Sequence, residues 1–254
     1  MSQDTIKRAT EYLEKINHKF TKFSLDPFKN FRAYMNITIP YDLSDDFYEE
    51  EKEILQNELK KKKITKVSDI EILRDRMCVV KSDITLIDAD AIVNAGNNAL
   101  LGCFHPLHDC VDNAIHSFAG LEVRRDLLKE MQGKTLPNGD AKYTKAYNLP
   151  SKYIIHTVGP IVYGGRPSRY DMIELSNCYK NSLAIADSLN LKTIAFSSIS
   201  TGVFGYPIDK ATTLSIEAVE EYFRGNPSSG IEKVIFDISG TEIINFGNIF
   251  AFQK

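Results

Sequence analysis

Two cysteines and two histidines fall within eight consecutive positions, Cys103 to Cys110, in the stretch LLGCFHPLHDC, although the whole chain holds only four cysteines and five histidines. Thiolate and imidazole are donors of the softness that suits zinc and its neighbours. The spacing Cys-x4-His-x-Cys, from Cys103 to His108 to Cys110, differs from the common finger patterns, so spacing by itself does not decide for a metal. The other cysteines, Cys78 in MCVV and Cys178 in LSNCYKNSLAIA, lie inside apolar patterns and read as inert core residues.

Two further stretches carry polar chemistry. IVNAGNNALLG puts Asn94, Asn97 and Asn98 at the end of an apolar run. Amides offer donors and acceptors without charge, as sugar hydroxyls require, and asparagine equally suits left-handed turns. SSISTGVFGYP has two glycines separated by Val-Phe, between a strand-like run and a helix that Pro207 would help start. Backbone amides at such a turn cradle phosphate, although Gly-x-x-Gly also occurs as a plain turn.

These loops need a frame, and the pattern supplies one. From residue 75 strand-like and helix-like stretches alternate: RMCVVKSDITLI, AIVNAG, a helix over about 112–131, AKYTKAYNL, KYIIHTVGP, a helix over about 172–189, KTIAFSSIS, a helix over about 208–223, KVIFDIS and a last helix around 241–250. Such alternation predicts a mixed sheet covered on both faces by helices, with ligands bound where loops leave strand ends. Before residue 73 the chain reads helical. Ile6, Ala9, Leu13 and Ile16 recur at helical spacing, and DDFYEEEKEILQNELKKKK runs from acidic to basic as a helix dipole favours. FSLDPFKNFRAYMNITIPYDL between them reads as an irregular apolar segment wrapped over a neighbour, broken by two prolines.

Composition excludes several classes. With 254 residues, 43% apolar and 26% charged, the chain is an ordinary globular protein. A net charge of −3 gives no basic field for nucleic acid, and the run Lys60 to Lys63 reads as a solvated helix end. No apolar stretch spans a bilayer and MSQDTIKRATEYLEKIN lacks a signal-peptide core, so a cytoplasmic protein with reduced thiols is expected.

In order, SDIT, DAIVNAGN, VDNAIHSFAG, YNLPSKYIIHTVGP and SSISTGVFGYP resemble the macrodomain, the ADP-ribose-binding fold, over roughly residues 75–245. Ordinary members carry a short glycine-only run where GCFHPLHDC stands here. That departure resembles the zinc-dependent branch, whose members hydrolyse ADP-ribose off modified proteins and carry a helical N-terminal extension. FRAYMNITIP followed by SDDFYEEEKEILQ resembles that extension more loosely. The resemblance implies an α/β three-layer macrodomain with a mixed central sheet over residues 73–254, a helical extension over 1–72 packed on it, and one Zn2+ on Cys103, His108 and Cys110. Three protein ligands leave a fourth position for water or substrate, whereas His105 would either close a four-ligand site or face solvent.

By the same resemblance, Asp83 accepts from the adenine amine beside the Ile84 backbone, unless it only forms a turn. Asn97 contacts the distal ribose. Asp112 orients water or ribose, caps its helix, or does both. Ser200, Thr201, Gly202, Val203, Phe204, Gly205 and Tyr206 form the diphosphate loop, giving backbone donors and an aromatic ring. His116 is expected to pack and hydrogen-bond structurally, and His156 to be a satisfied core histidine. Ala146 stands where the family usually has glycine. The expected function is removal of mono-ADP-ribose from proteins, from Asp or Glu esters first, with Asn97 and Asp112 as the catalytic pair. A reader of ADP-ribose with a structural zinc, or an O-acetyl-ADP-ribose deacetylase, would use the same pocket. Expected partners are ADP-ribose, the modified protein and, by family association, a sirtuin-class ADP-ribosyltransferase and a lipoyl-carrier protein. The chain is taken as a monomer.

Overall fold

The structure is a computed structural model that describes residues 3–238 and Phe246. Three helices come first: α1 Gln3–Ile16, α2 Pro27–Ile37 and α3 Asp45–Leu59. In α1, Ile6, Ala9 and Leu13 form the buried face that their spacing predicts. The stretch expected to be irregular contains α2 instead. Asp26 caps it by accepting from the Lys29 amide (2.8 Å), and Pro27 occupies the first turn, where a missing N–H costs nothing. The proline therefore starts a helix. Ser44 caps α3, with Asp45 and Asp46 in its first turn. Phe31, Tyr34, Met35, Ile54 and Leu55 make a small core of their own, which Leu121 from the following domain enters.

The main sheet comprises β1 Met77–Val80, β2 Ala91–Gly96, β3 Ala141–Lys145, β4 Tyr153–Val158, β5 Thr193–Phe196 and β6 Lys233–Asp237, in the order β1-β6-β5-β2-β4-β3. All neighbours are parallel except the edge strand β3, which runs antiparallel to β4. Alternating side chains serve two cores. Ala91, Val93, Ile194 and Phe196 face one cluster with α6 Arg169–Ser188 and α7 Ile208–Gly225, whereas Ile92, Ile154, Ala195 and Ile235 face the other with α4 Val111–Ala119 and α5 Leu121–Met131. This is the expected three-layer arrangement. Cys78 and Cys178 are buried free thiols within these cores.

Two boundaries differ from the sequence reading. The helix expected over 112–131 is two helices, because Gly120 adopts φ 103°, a conformation open to glycine, and breaks the run. The division near residue 73 is softer than expected: Thr65 pairs with Ile87, and Ile70 already packs in the sheet's core. The last expected helix, apart from Phe246, lies outside the described residues. Among the described residues no helix is long and apolar enough to cross a membrane.

Candidate active site and metal centre

Five parallel strands end on one edge, so the loops after β1, β2 and β5 gather where open α/β sheets bind ligands. After β1, Asp83 caps a short 3-10 turn, its Oδ1 accepting from the Thr85 amide (3.0 Å) and hydroxyl (2.6 Å), while Ile84 is buried. The turn-forming role is thus present, on an exposed carboxylate. Asp237 at the end of β6 ties this loop down by accepting from the Ser82 amide (2.8 Å).

Asn94 lies inside β2, fully buried, and not in the loop. Its Nδ2 donates to Asp112 Oδ1 (2.9 Å) and faces His156 Nδ1 (3.2 Å). Nδ1 must then accept, so His156 carries its proton on Nε2 and donates to Thr144 Oγ1 (2.9 Å). His156 is the satisfied core histidine expected, and burial lowers its pKa to about 3. Asp112 is 6% exposed, and burial raises its pKa against the opposing pull of Asn94 and Arg124. It does not cap α4: Cys110 takes that place, its Sγ accepting from the Asn113 amide (3.4 Å). His116 is buried as expected but has no hydrogen bond on either ring nitrogen among the described residues. Its Nε2 lies 3.5 Å from Asp112 Oδ1, and burial followed by repulsion from Arg124 keeps the ring neutral.

Asn97 spends its amide on its own loop. Nδ2 donates to the Gly102 carbonyl (2.9 Å), and Oδ1 accepts from the Ala99 amide (3.0 Å). It therefore braces the entrance to the Cys-His loop. Within that loop the metal-binding atoms of Cys103, His108 and Cys110 all lie within 4.8 Å of one another, and His105 is outside the group, its ring centroid 5.9 Å from that of His108. A β-turn joins them: the His108 amide donates to the His105 carbonyl, with Pro106 second and Leu107 third at φ 56°, the type II pattern. Asn113 donates to Cys103 Sγ through Nδ2 (3.3 Å) and to Cys110 Sγ through its amide (3.4 Å), so one residue orients both sulfurs. Burial pushes the Cys110 thiol up to about 12, and the Cys103 sulfur close by adds to this. A cation beside the Cys110 sulfur would offset that burial. Two sulfurs and one imidazole at this separation fit zinc.

After β5, Ser200 stands at φ 64° with its Oγ buried and unpartnered among the described residues. Such an atom is completed by a polar ligand. It lies over Gly159 at the end of β4, where an added Cβ would come within 2.1 Å of that Oγ. The amides of Gly202, Val203 and Phe204 carry no hydrogen bond among the described residues, whereas the Gly205 amide donates to Gly202 and the Tyr206 amide to Ser200. Gly205 and Tyr206 therefore hold the loop closed with amides already engaged, and the Tyr206 side chain is a core residue, 2% exposed. Thr201 lies between Ser200 and the open amides, half-buried, and Phe204 is half-buried beside them.

Sequence reasoning missed Gly159, Asn113, Ser117, Asn36 and Arg124. For Gly159 a signal existed, a glycine ending the apolar strand YIIHTVGP. Arg124 is 2% exposed and reaches from α5 to the Met35 (2.8 Å) and Thr38 (2.5 Å) carbonyls, with its guanidinium 4.6 Å from the Phe104 ring. It reads in sequence as half of an Arg-Arg pair on a helix surface.

The Macro domain model matches residues 93–215. A protein-ADP-ribose hydrolase of Treponema medium is 38% identical over 213 residues, 82% of this chain and 80% of that protein. One from a Staphylococcus aureus strain is 38% identical over 216 residues, 84% and 80% of the two chains. Among solved structures, a variant of the Oceanobacillus iheyensis macrodomain with ADPR is 34% identical with a TM-score of 0.62, covering 73% of this chain and 98% of that one.

Proposed function

The chain belongs to the Macro domain family, and from that premise we propose that it is a metal-dependent hydrolase releasing mono-ADP-ribose from modified proteins, Asp and Glu esters first. The relatives named protein-ADP-ribose hydrolase support the reaction, and the ADPR-bound macrodomain supports the ligand. The observation that carries the metal is the convergence of Cys103, His108 and Cys110, with Asp112 two residues beyond. Asp83 and Ile84 would hold the adenine. The amides of Gly202, Val203 and Phe204, with Ser200 Oγ and Thr201, would hold the diphosphate, as anion cradles do. Asn94 fixes one oxygen of Asp112, leaving the other for the distal ribose or the attacking water. Asn97 keeps the loop beside that ribose in shape. A zinc ion on the three ligands would supply Lewis-acid polarisation or a water of lowered pKa.

The test is ADP-ribose release from a protein modified on acidic side chains, using as-purified, metal-stripped and zinc-restored protein. Release should vanish on stripping and return with zinc, and Cys103→Ala or Cys110→Ala should remove both metal and turnover while the domain stays folded. Full activity in a zinc-free Cys110→Ala protein would sink the catalytic metal. No release by any form, with ADP-ribose still bound, would make the protein a reader with a stapled loop. Faster loss of acetate from O-acetyl-ADP-ribose would instead move the substrate to a small molecule. A sirtuin-class transferase and a lipoyl-carrier protein as partners rest on the family resemblance alone. A cytoplasmic location is supported by four free cysteines.

A further inference from the structure

The Cys-His loop is held from the other end of the chain. Asn36, in the last turn of α2, is 2% exposed and has both ends of its amide engaged. Its Oδ1 accepts from the Leu107 amide (2.9 Å) at the positive-φ corner of the loop, and its Nδ2 donates to Ser117 Oγ (2.8 Å) on α4. Ser117 Oγ donates in turn to Asn113 Oδ1 (3.2 Å), which orients the Asn113 amide group towards Cys103 Sγ and the His105 carbonyl (3.0 Å). One hydrogen-bonded chain therefore runs from the N-terminal helices to the sulfurs. Arg124 forms a second connection, bonded to the carbonyls of Met35 and Thr38 on either side of Asn36 and stacked on Phe104 beside Cys103.

Left alone, this loop has every reason to wander. Leu100, Phe104 and Leu107 all hold positive φ without being glycine, and His105, His108 and Asp109 are exposed. Such strain persists only where the surroundings over-determine it. We propose that Asn36 is a positioning residue for the metal site: through Leu107, and through Ser117 and Asn113, it preorganises Cys103, His108 and Cys110 for the ion, so the N-terminal helices are part of the metal centre. The proposal rests on reading those three residues as the ligand set.

The experiment uses the full chain, metal-stripped. Zinc affinity is measured by competition with a chromophoric chelator, and the site's geometry by the d–d and thiolate charge-transfer bands of Co2+. Wild type should bind one ion. Asn36→Ala should bind roughly 10-fold more weakly, the low end of the loss seen when a direct partner of a metal ligand is removed, with altered Co2+ bands. Ser117→Ala keeps the Leu107 contact and breaks the link to Asn113, so it should lie between. Asn36→Asp retains the acceptor for Leu107 and should recover part of the affinity. Circular dichroism and melting of the stripped proteins identify any variant that fails to fold, and Ser117→Ala, outside the extension, keeps the test open if Asn36→Ala does. Folded variants with wild-type affinity and wild-type Co2+ bands would overturn the proposal while leaving the metal site standing. A folded wild-type protein that binds neither Zn2+ nor Co2+ would overturn the metal reading, and the proposal with it.

Discussion

Asp112 and Asn94 show how a carboxylate is prepared by a neighbour on a different element. Asn94 on β2 directs Nδ2 between Asp112 and His156, and the histidine tautomer that this requires is completed by Thr144 on β3. Replacing Asp112 by Asn conserves the shape and removes the charge, so turnover should fall by roughly 10²-fold or more. ADP-ribose affinity, measured by calorimetry, should change little; an equal loss of both would show that Asp112 only shapes the pocket. The Cys-His cluster was legible because it gathers two of the chain's four cysteines and two of its five histidines within eight positions, and Asp112 was legible only through the family resemblance of VDNAIHSFAG. Asn113 was not. It is one amide among several, and its role comes only from standing at the third helical position after Cys110, where both its side chain and its backbone meet sulfur.

Helix ends carry much of the positioning. α5 begins at Gly120, which has no side chain to cap it, and Glu51 from α3 takes that role, both its oxygens accepting from the Leu121 amide (3.0 and 3.1 Å). Arg124, one turn further along, closes the same gap from the other side. Arg124→Met would leave the buried Thr38 carbonyl without its donor and the Met35 carbonyl with only the Thr38 amide at 3.4 Å, and should cost about 2–4 kcal/mol, read from urea unfolding. Gly102→Ala should cost about 1–3 kcal/mol, because φ is 84° and the new Cβ would stand 2.9 Å from Arg124 Nη2. A loss below about 0.5 kcal/mol in either would show that the loop yields more easily than its geometry implies. Periodicity revealed the strands, α6 and α7. It missed α2, whose proline at the first position reads as a breaker, and it missed the break at Gly120, where the freed Leu121 amide finds its acceptor on Glu51, 70 residues earlier.

The assembled molecule is three layers with a further helical layer docked on α4 and α5, and its pH response should reveal the seam between them. Burial pushes the Glu51 carboxyl up to about 8, with Glu122 adding to it and the Leu121 amide, Arg124 and Arg125 opposing. The folded chain then keeps a proton that the unfolded chain releases at about 4.3, so stability should fall as pH rises from there to about 8. His156 and His116 act oppositely: both stay neutral when folded, and the unfolded chain gains their protons below about 6.5, so stability is lost as pH falls through that range. Above pH 7 the histidine effects fade and Glu51 dominates, joined as pH nears about 8.5 by the Cys110 and Cys178 thiols, which burial keeps protonated when folded. Melting temperatures of wild type should therefore decline between pH 7 and 8.5, and those of Glu51→Gln should stay flatter; parallel declines would remove Glu51 as the cause. The fold class was readable from alternation alone because strands and helices write their period locally. That the extension packs on the sheet domain came from the family resemblance, but its contacts were not readable, since the partners lie 70 to 92 residues away and each bond is a single polar pair.

The bond from the Leu107 amide to Asn36 has one more consequence. Leu107 sits in a surface loop between exposed histidines, where an amide proton ordinarily trades with solvent deuterium within moments. Its acceptor lies 71 residues earlier on another layer of the molecule. That proton should exchange only when the loop and α2 separate, so the exchange rate of a single loop amide should report the opening of this contact.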